Sequence, residues 1–357
     1  VAAALVAAAG AGPGPGGAAS AAEPPARPQP TAAQLAGQRV VVGFSGTTPP
    51  PALVRRIRRG ETGAVIIMGP NVAGRAGLAR LTRRLQAIPR PAAVDVPLLI
   101  MVDQEGGQVR RIPGPPTRSA AEMGAGDPRS SRAAGVATGR LLSHLGVGAD
   151  LAPVADVAGP GSVLARFGRT FGTSPAVVSR HAVAFAGGLR AAGVLATAKH
   201  FPGLGRARVN TDDAPVTIHR SAALLRRVDA RPFAALIGHG VPMVMTSSAI
   251  YPAFDPGTPA LLSRRVVTGE LRERLGFGGT VITDALDTPA LAAVGGDGAV
   301  AVRAAGAGND LLLYIDFTRG VRAAEALRAA FGAGRLRPGD ARASVERILA
   351  LRAGLPG

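Results

Sequence analysis

Pro97-Leu-Leu-Ile-Met-Val-Asp-Gln-Glu-Gly-Gly-Gln-Val-Arg-Arg111 is an apolar run that stops abruptly at two carboxylates. Leu98 to Val102 has the length and the lack of alternation expected of a strand buried on both faces. Ionisable groups at the tip of such a strand are costly to desolvate unless they have work or partners there. Seven other runs repeat the pattern: Val40–Phe44, Ala64–Met68, Ala149–Pro153, Ala196–His200, Pro242–Thr246, Thr280–Thr283 and Asp310–Ile315. Between them lie helical patterns such as Ala79–Ile88, Arg132–Leu145, Ala176–Ala192, Ala222–Gly238, Arg264–Leu275 and Ala323–Phe331, with Arg342–Leu351 closing the chain. Strands alternating with helices imply parallel βαβ units. Eight such units predict an α/β protein built as one (β/α)₈ barrel of the TIM type. No Gly-x-Gly-x-x-Gly follows the first run, which weighs against a nucleotide-binding open sheet.

Polar residues cluster at the carboxyl ends of these runs. Asp103 and Glu105 follow the third, Asp156 comes after the fourth, Lys199 and His200 end the fifth, Ser247 and Ser248 follow the sixth, and Asp284 the seventh. A barrel brings all those ends to one face, where active sites are built.

Composition narrows the classes. The chain has 357 residues, 47% of them hydrophobic but only 3% aromatic, with no Trp. Its core must therefore be aliphatic. The formal charge is +18, which attracts anionic partners such as nucleic acid, acidic lipid or cell-wall polymer. Yet the 41 basic residues are scattered and, apart from one Lys, are all Arg, and aromatic interleaving is nearly absent. No nucleic-acid partner is expected on that pattern. Cys is absent, so disulfides and thiolate sites are excluded. The five His have no clear metal-binding spacing.

Rare residues carry weight in so biased a chain. Lys199 is the only Lys, and Asn occurs only at 71, 210 and 309. A compact point charge at 199, where Arg is used everywhere else, suggests a site too tight for a guanidinium.

Residues 1–35 read as a separate leader. Val1–Ala9 is apolar, Gly10–Gly17 is Gly/Pro-rich, and Ala18–Ala22 supplies small residues like those of a cleavage site. Ala26–Ala33 reads as a flexible linker. This predicts export to the envelope or medium, the other reading being a leader with no targeting role. The barrel domain is placed at residues 36–357.

Several segments together resemble the family 3 glycoside hydrolases, in particular the single-domain β-N-acetylhexosaminidase branch. They are Val102–Arg111, Ala152-Pro-Val-Ala-Asp156, Arg169-Thr-Phe-Gly172, Lys199-His-Phe-Pro-Gly203, Val244-Met245 and Val281-Ile-Thr-Asp-Ala-Leu286, with weaker likeness at Gly63–Asn71 and Leu271–Gly278. They run in the family's order from about Leu35 to Leu351. The resemblance implies a retaining exo-β-glycosidase acting on β-N-acetylglucosaminides of cell-wall fragments, by a two-step displacement that needs only carboxyl chemistry, so neither metal nor cofactor is expected. Asp284 stands in the nucleophile's place, and Asp103, Arg111, Arg169, Lys199 and His200 stand in the sugar-binding positions. It implies a carbohydrate partner, an amino-sugar glycoside or muropeptide, and the positive charge of the chain suits association with an anionic cell wall. Asp287, one turn on, reads as a helix N-cap.

One part of the family pattern is broken. Where the family has Asp-Ser-His, the acid/base pair, this loop reads Asn210-Thr211-Asp212, followed by Asp213. Ser248 stands where the family commonly has His. Three readings stay open: Asp212 or Asp213 is the acid, another donor serves, or the barrel binds sugar without turnover. Arg206 and Arg208 either meet an anionic ligand or stay solvated.

Overall fold

The computed structural model describes residues 28–355. The signal-like run and cleavage-site expectation lie outside the described residues. The eight strands are β1 (Val40–Val42), β2 (Ala64–Ile67), β3 (Leu99–Val102), β4 (Ala149–Asp150), β5 (Leu195–Phe201), β6 (Met243–Thr246), β7 (Thr280–Thr283) and β8 (Leu312–Tyr314). Each pairs in parallel with the next, and β1 pairs with β8 through Val40–Leu312, Val41–Leu313 and Val42–Tyr314. The ring closes between β7 and β8 at a parallel bridge from Ile282 to Leu311, with Thr283 N donating to Leu311 O at 2.9 Å. The expected eight-stranded TIM-type barrel is the observed fold.

Side chains alternate across each strand with period two. Val41, Ile66, Met101, Leu151, Met245, Ile282 and Leu313 fill the barrel interior. Val42, Val65, Ile100, Val244, Val281 and Leu312 face outward into the helical ring. Aliphatic residues on both faces explain why the strands read as continuous apolar runs.

A helix follows each strand: Pro51–Arg58, Gly74–Gln86, Pro128–His144, Pro175–Ala191, the segment from Ala222 to Gly238, Arg265–Arg274, Asp297–Ala307 and Phe317–Gly332. Pro51–Arg58 and Asp297–Ala307 escaped the sequence reading. The first is only 8 residues long and buries two side chains, Leu53 and Ile57. The second, DGAVAVRAAGA, is too rich in Ala and Gly to show a polar face. The pattern read as one helix from Ala222 to Gly238 is divided: Leu225–Asp229 winds as a π-helix, and a new helix starts at Arg231. Pro232 lacks the N–H that would carry the ladder through. Arg265–Arg274 is also π-wound. Helix Ala32–Gln38, capped by Thr31, spans the point where the sequence reading divides leader from barrel.

One end of the barrel is stoppered. Helix Pro338–Ala353 crosses it, and Ile348 and Leu355 join the interior cluster. Arg352 is fully buried there and donates to Pro97 O (2.7 Å), to Val96 O (2.9 Å) and to Gln38 Oε1. Burial, with Arg90 adding to it, lowers its guanidinium to about 9. From the same helix Arg347 pairs with Asp310 at 2.8 Å, and Asp310 also takes Arg272 at 2.6 Å. With helix Pro338–Ala353 across the amino-terminal end, the polar residues that follow the strands gather at the carboxyl-terminal end.

Candidate active site

The site is built strand by strand. After β3 the chain turns into a hairpin, Gln104–Gly106 against Val109–Arg110. The Gln104 side chain ties it down, donating to Ile112 O at 2.8 Å and Pro115 O at 2.9 Å and accepting from Ile112 N at 3.0 Å. Gly106 sits at φ +104°, and a Cβ there would meet Arg118 O at 2.3 Å. That hairpin carries Asp103, Glu105 and Arg111. Arg169 arrives on a tight turn whose Gly168 carbonyl accepts from Ala121 N at 3.0 Å. Lys199 and His200 lie near the end of β5.

These groups form one ionic cluster. Lys199 Nζ lies 2.7 Å from Asp103 Oδ1 and 2.7 Å from Glu105 Oε1. Arg169 grips Glu105 with two bonds, Nε to Oε2 at 2.9 Å and Nη2 to Oε1 at 2.8 Å. Arg111 Nη2 stands 3.9 Å from Asp103 Oδ2. Burial alone would raise the Glu105 carboxyl, but Arg169 and Lys199 outweigh it and hold Glu105 well below the usual carboxylate range. Burial likewise opposes the Lys199 charge, and Asp103 and Glu105 outweigh it, so the ammonium titrates above its ordinary value. A wide fork at 199 could not make both short contacts in this space, which accounts for the lone Lys.

His200 is oriented from behind. Its Nδ1 lies 2.8 Å from Asp156 Oδ2, and its backbone N–H also donates to that carboxylate. A carboxylate at Nδ1 fixes the ring proton there and leaves Nε2 for a partner in the cavity. Asp156 also accepts from Leu204 N, which pins the start of the following loop.

Asp284 follows β7. Its backbone N–H donates to Thr246 O at 2.9 Å, its Oδ1 accepts from Ala285 N at 2.9 Å, and its Oδ2 accepts from Ser248 Oγ at 3.3 Å. Burial raises its carboxyl above the ordinary value. His200, the Ala285 N–H and Lys199 pull it down, and the negative charge of Asp212 pushes it up. Asp212 is exposed on the loop after β5, where Asn210 Nδ2 donates to its Oδ2 at 3.0 Å.

A hollow of ≈ 510 Å³ gathers these residues. Asp103, Arg111, Arg169, Lys199, His200, Asp212 and Asp284 all line it, over a floor of Ile66, Leu151, Met245 and Leu313. Asp213 is not among the lining residues. Nor are Arg206 and Arg208: Arg206 turns back toward Asp229, its Nε 3.8 Å from Oδ1, and its side chain packs over Gly159. Asp287 lines the hollow and is not the N-cap of its own helix. Thr288 precedes helix Pro289–Val294, and Asp287 Oδ2 instead accepts from Asp316 N at 2.7 Å. Among the described residues, no group of three or more His, Asp or Glu is placed to hold a metal ion.

Two residues of the cluster, Glu105 and Asp156, were noted at strand ends in the sequence but given no role. Their partners lie 64 and 44 positions away, so only the fold shows what they do. The available signal was their place in the Asp-Gln-Glu and Ala-Pro-Val-Ala-Asp blocks.

The fold and this rim define a (β/α)₈-barrel enzyme with a small, charged cavity at the carboxyl ends of its strands. The chain belongs to glycosyl hydrolase family 3: the model of that family's N terminal domain matches residues 34–351, and the protein is a glycoside hydrolase. It is 35% identical to a family 3 β-N-acetylglucosaminidase from Paenibacillus sp. str. FPU-7, with a TM-score of 0.86 over 92% of this chain and 64% of that one. It is 32% identical to the β-N-acetylhexosaminidase of Beutenbergia cavernae, with a TM-score of 0.83 over 91% and 99% of the two chains. An uncharacterized secreted glycosyl hydrolase of Arthroderma benhamiae is 38% identical over 90% of this chain and 93% of its own length. The chain spans about half, 49%, of the β-hexosaminidase A of Pseudoalteromonas piscicida, at 32% identity.

Proposed function

We propose that this protein is a retaining exo-β-N-acetylglucosaminidase with Asp284 as nucleophile and Asp212 as general acid/base. The observation that carries the reading is that both carboxylates line one hollow whose other walls are Asp103, Arg111, Arg169, Lys199 and His200. In the first step an Asp284 oxygen attacks the anomeric carbon, the glycosidic C–O bond breaks, and Asp212 gives its proton to the departing oxygen. In the second, Asp212 takes a proton from water, which attacks the same carbon and releases Asp284. Asp103 accepts from sugar hydroxyls, while Arg111, Arg169, Lys199 and His200 donate to the sugar's oxygens.

The loop supports Asp212 over Asp213. Asp212 lines the hollow and its charge reaches Asp284, whereas Asp213 lies off it. The Asn210 amide holds Asp212 through its Oδ2. A carboxyl thus takes the place of the family's imidazole, and an amide takes that of the orienting carboxylate. Likeness to a family 3 β-N-acetylglucosaminidase and to β-hexosaminidases supports an N-acetylglucosaminide or related amino-sugar glycoside as substrate. Fragments of an anionic cell wall fit the positive charge of the chain. The secreted relative and the apolar run at Val1–Ala9 support export, with a leader that ends before the Thr31-capped helix, whose Leu35 belongs to the core of the working domain.

A second reading, a sugar-binding barrel without turnover, draws on the exposure of Asp212 and the lack of an imidazole in its loop. An aryl β-N-acetylglucosaminide separates the two. Wild type should turn it over, and Asp284→Ala should lose about 10³-fold or more. Asp212→Asn should keep most of its kcat/KM toward an activated aryl leaving group, with kcat lowered by the slower second step, but lose about 10²–10⁴-fold in kcat/KM toward an unactivated alkyl or sugar one. Equal background in all three proteins would leave only the binding reading.

A further inference from the structure

Among the described residues two large apolar side chains stand out in solvent, Phe167 at 48% exposure and Val209 at 49%. Both belong to the segments that border the hollow. Phe167 is one of its lining residues, and Val209 is next in sequence to Asn210, which is another. In a chain with only 3% aromatic residues, an exposed ring at a sugar-sized cavity needs a reason.

We infer that Phe167 is the platform of a leaving-group subsite, stacking on the apolar face of a second pyranose ring linked through the bond to be cleaved. This rests on the glycosidase reading above and adds the leaving group's chemistry to it. Burial gives the direction. Lys199 and Glu105 are 2% and 5% exposed, so the charged contacts that suit hydroxyls lie at the closed end, while Phe167 stands at the open one. A ring held at the closed end extends its glycosidic partner outward, toward the rim that Phe167 helps to line.

The ring is also mounted rigidly. Phe167 ends the short helix Val163–Arg166. Gly168 follows at φ +67°, and Arg169 N donates back to Leu164 O at 2.9 Å. The same turn therefore sets Phe167 and the Arg169–Glu105 pair. It is joined to the loop of Asp212 as well: Val163 N donates to Ala207 O at 2.8 Å, and Arg166 Nη2 donates to Arg208 O at 2.9 Å. Platform and proposed acid are thus held in register. That is what protonating one oxygen between two rings demands. A flat ring meets the C–H face of a pyranose by dispersion and hydrophobic contact, leaving hydroxyls to polar groups.

The test compares N,N′-diacetylchitobiose, whose leaving group is a sugar, with β-N-acetylglucosaminyl fluoride, whose leaving group is one atom. In Phe167→Ala the ratio of kcat/KM for disaccharide over fluoride should fall about tenfold or more. Phe167→Trp should hold that ratio within about twofold, since a larger ring offers the same face. An unchanged ratio in Phe167→Ala, or equal losses on both substrates, would overturn the subsite. If wild type cleaves neither substrate, the glycosidase reading fails by itself. Calorimetry on wild type and Phe167→Ala then decides: weaker binding of the disaccharide with unchanged binding of N-acetylglucosamine supports the platform, and any other pattern removes it.

Discussion

The Arg169 guanidinium and the Glu105 carboxylate face each other in a bidentate pair, 2.8 and 2.9 Å across. Glu105 is buried and also receives Lys199, so one carboxylate offsets two cations at the closed end of the hollow. Glu105→Gln would leave both cations short of a partner. Breaking a buried pair from one side costs about 3–5 kcal/mol. Chemical denaturation of the variant should show a loss of that order at neutral pH.

The same pair sets an acid limit on stability. Glu105 is held below its unfolded value. Its contribution is therefore complete above the unfolded carboxyl pKa, about 4.3, and is lost as pH falls through the folded one. Thermal melts of wild type should decline on acidification below that point. Melts of Glu105→Gln should decline less steeply over the same interval.

Lys199→Arg is expected to behave as a severe change. The ammonium makes two contacts of 2.7 Å in a space where it is 2% exposed. A guanidinium is broader and cannot converge on two carboxylates in the same way. We expect kcat/KM to fall about 10²-fold, by analogy with a displaced positioning group, while circular dichroism shows a folded protein. Activity within a few-fold of wild type would show that the charge alone matters.

The acid limb of the kcat/KM profile should report Asp284. The nucleophile must be ionised, and burial raises its carboxyl. Activity should therefore fall with decreasing pH at a value above that of an ordinary Asp, about 3.9. A general acid keeps its proton while the nucleophile is ionised, so the neutral Asp212→Asn should leave this limb in place. An activated aryl substrate keeps the variant measurable. A limb that moves to lower pH in Asp212→Asn would show Asp212 ionised beside Asp284 and would remove it as the acid.

Arg352→Ala probes the opposite end of the barrel. It deletes donors to Pro97 O, Val96 O and Gln38 and opens a cavity beneath the interior cluster. A loss of about 3 kcal/mol or more is expected. KM should be unchanged in the protein that remains folded, because the hollow lies at the other rim.

Much of this was legible in order along the chain. Apolar runs of strand length ending in ionisable residues gave the barrel and most of the hollow's lining, since strand period and burial are local properties. The rarest residues were informative for the same reason. Asn71 and Asn309 are buried, and each spends its amide on fixed backbone partners: Met68, Phe44 and Gly46 for the first, Leu261 and Ala304 for the second. Neither Arg nor Ala could replace such an amide.

What the sequence determined by itself was the set of strands, the one face at which their polar tips meet, and the identity of the groups there. What only the tertiary structure decided was pairing and direction. Asp156 serves His200, Glu105 joins Arg169 to Lys199, Asp287 holds the start of the Phe317–Gly332 helix, Arg206 turns to Asp229, and Phe167 is left facing solvent. The reason is physical. Which residues lie on one side of a strand follows from bond geometry within a few positions. Which charge neutralises which depends on distances between loops separated by tens of residues, and those exist only once the ring has closed.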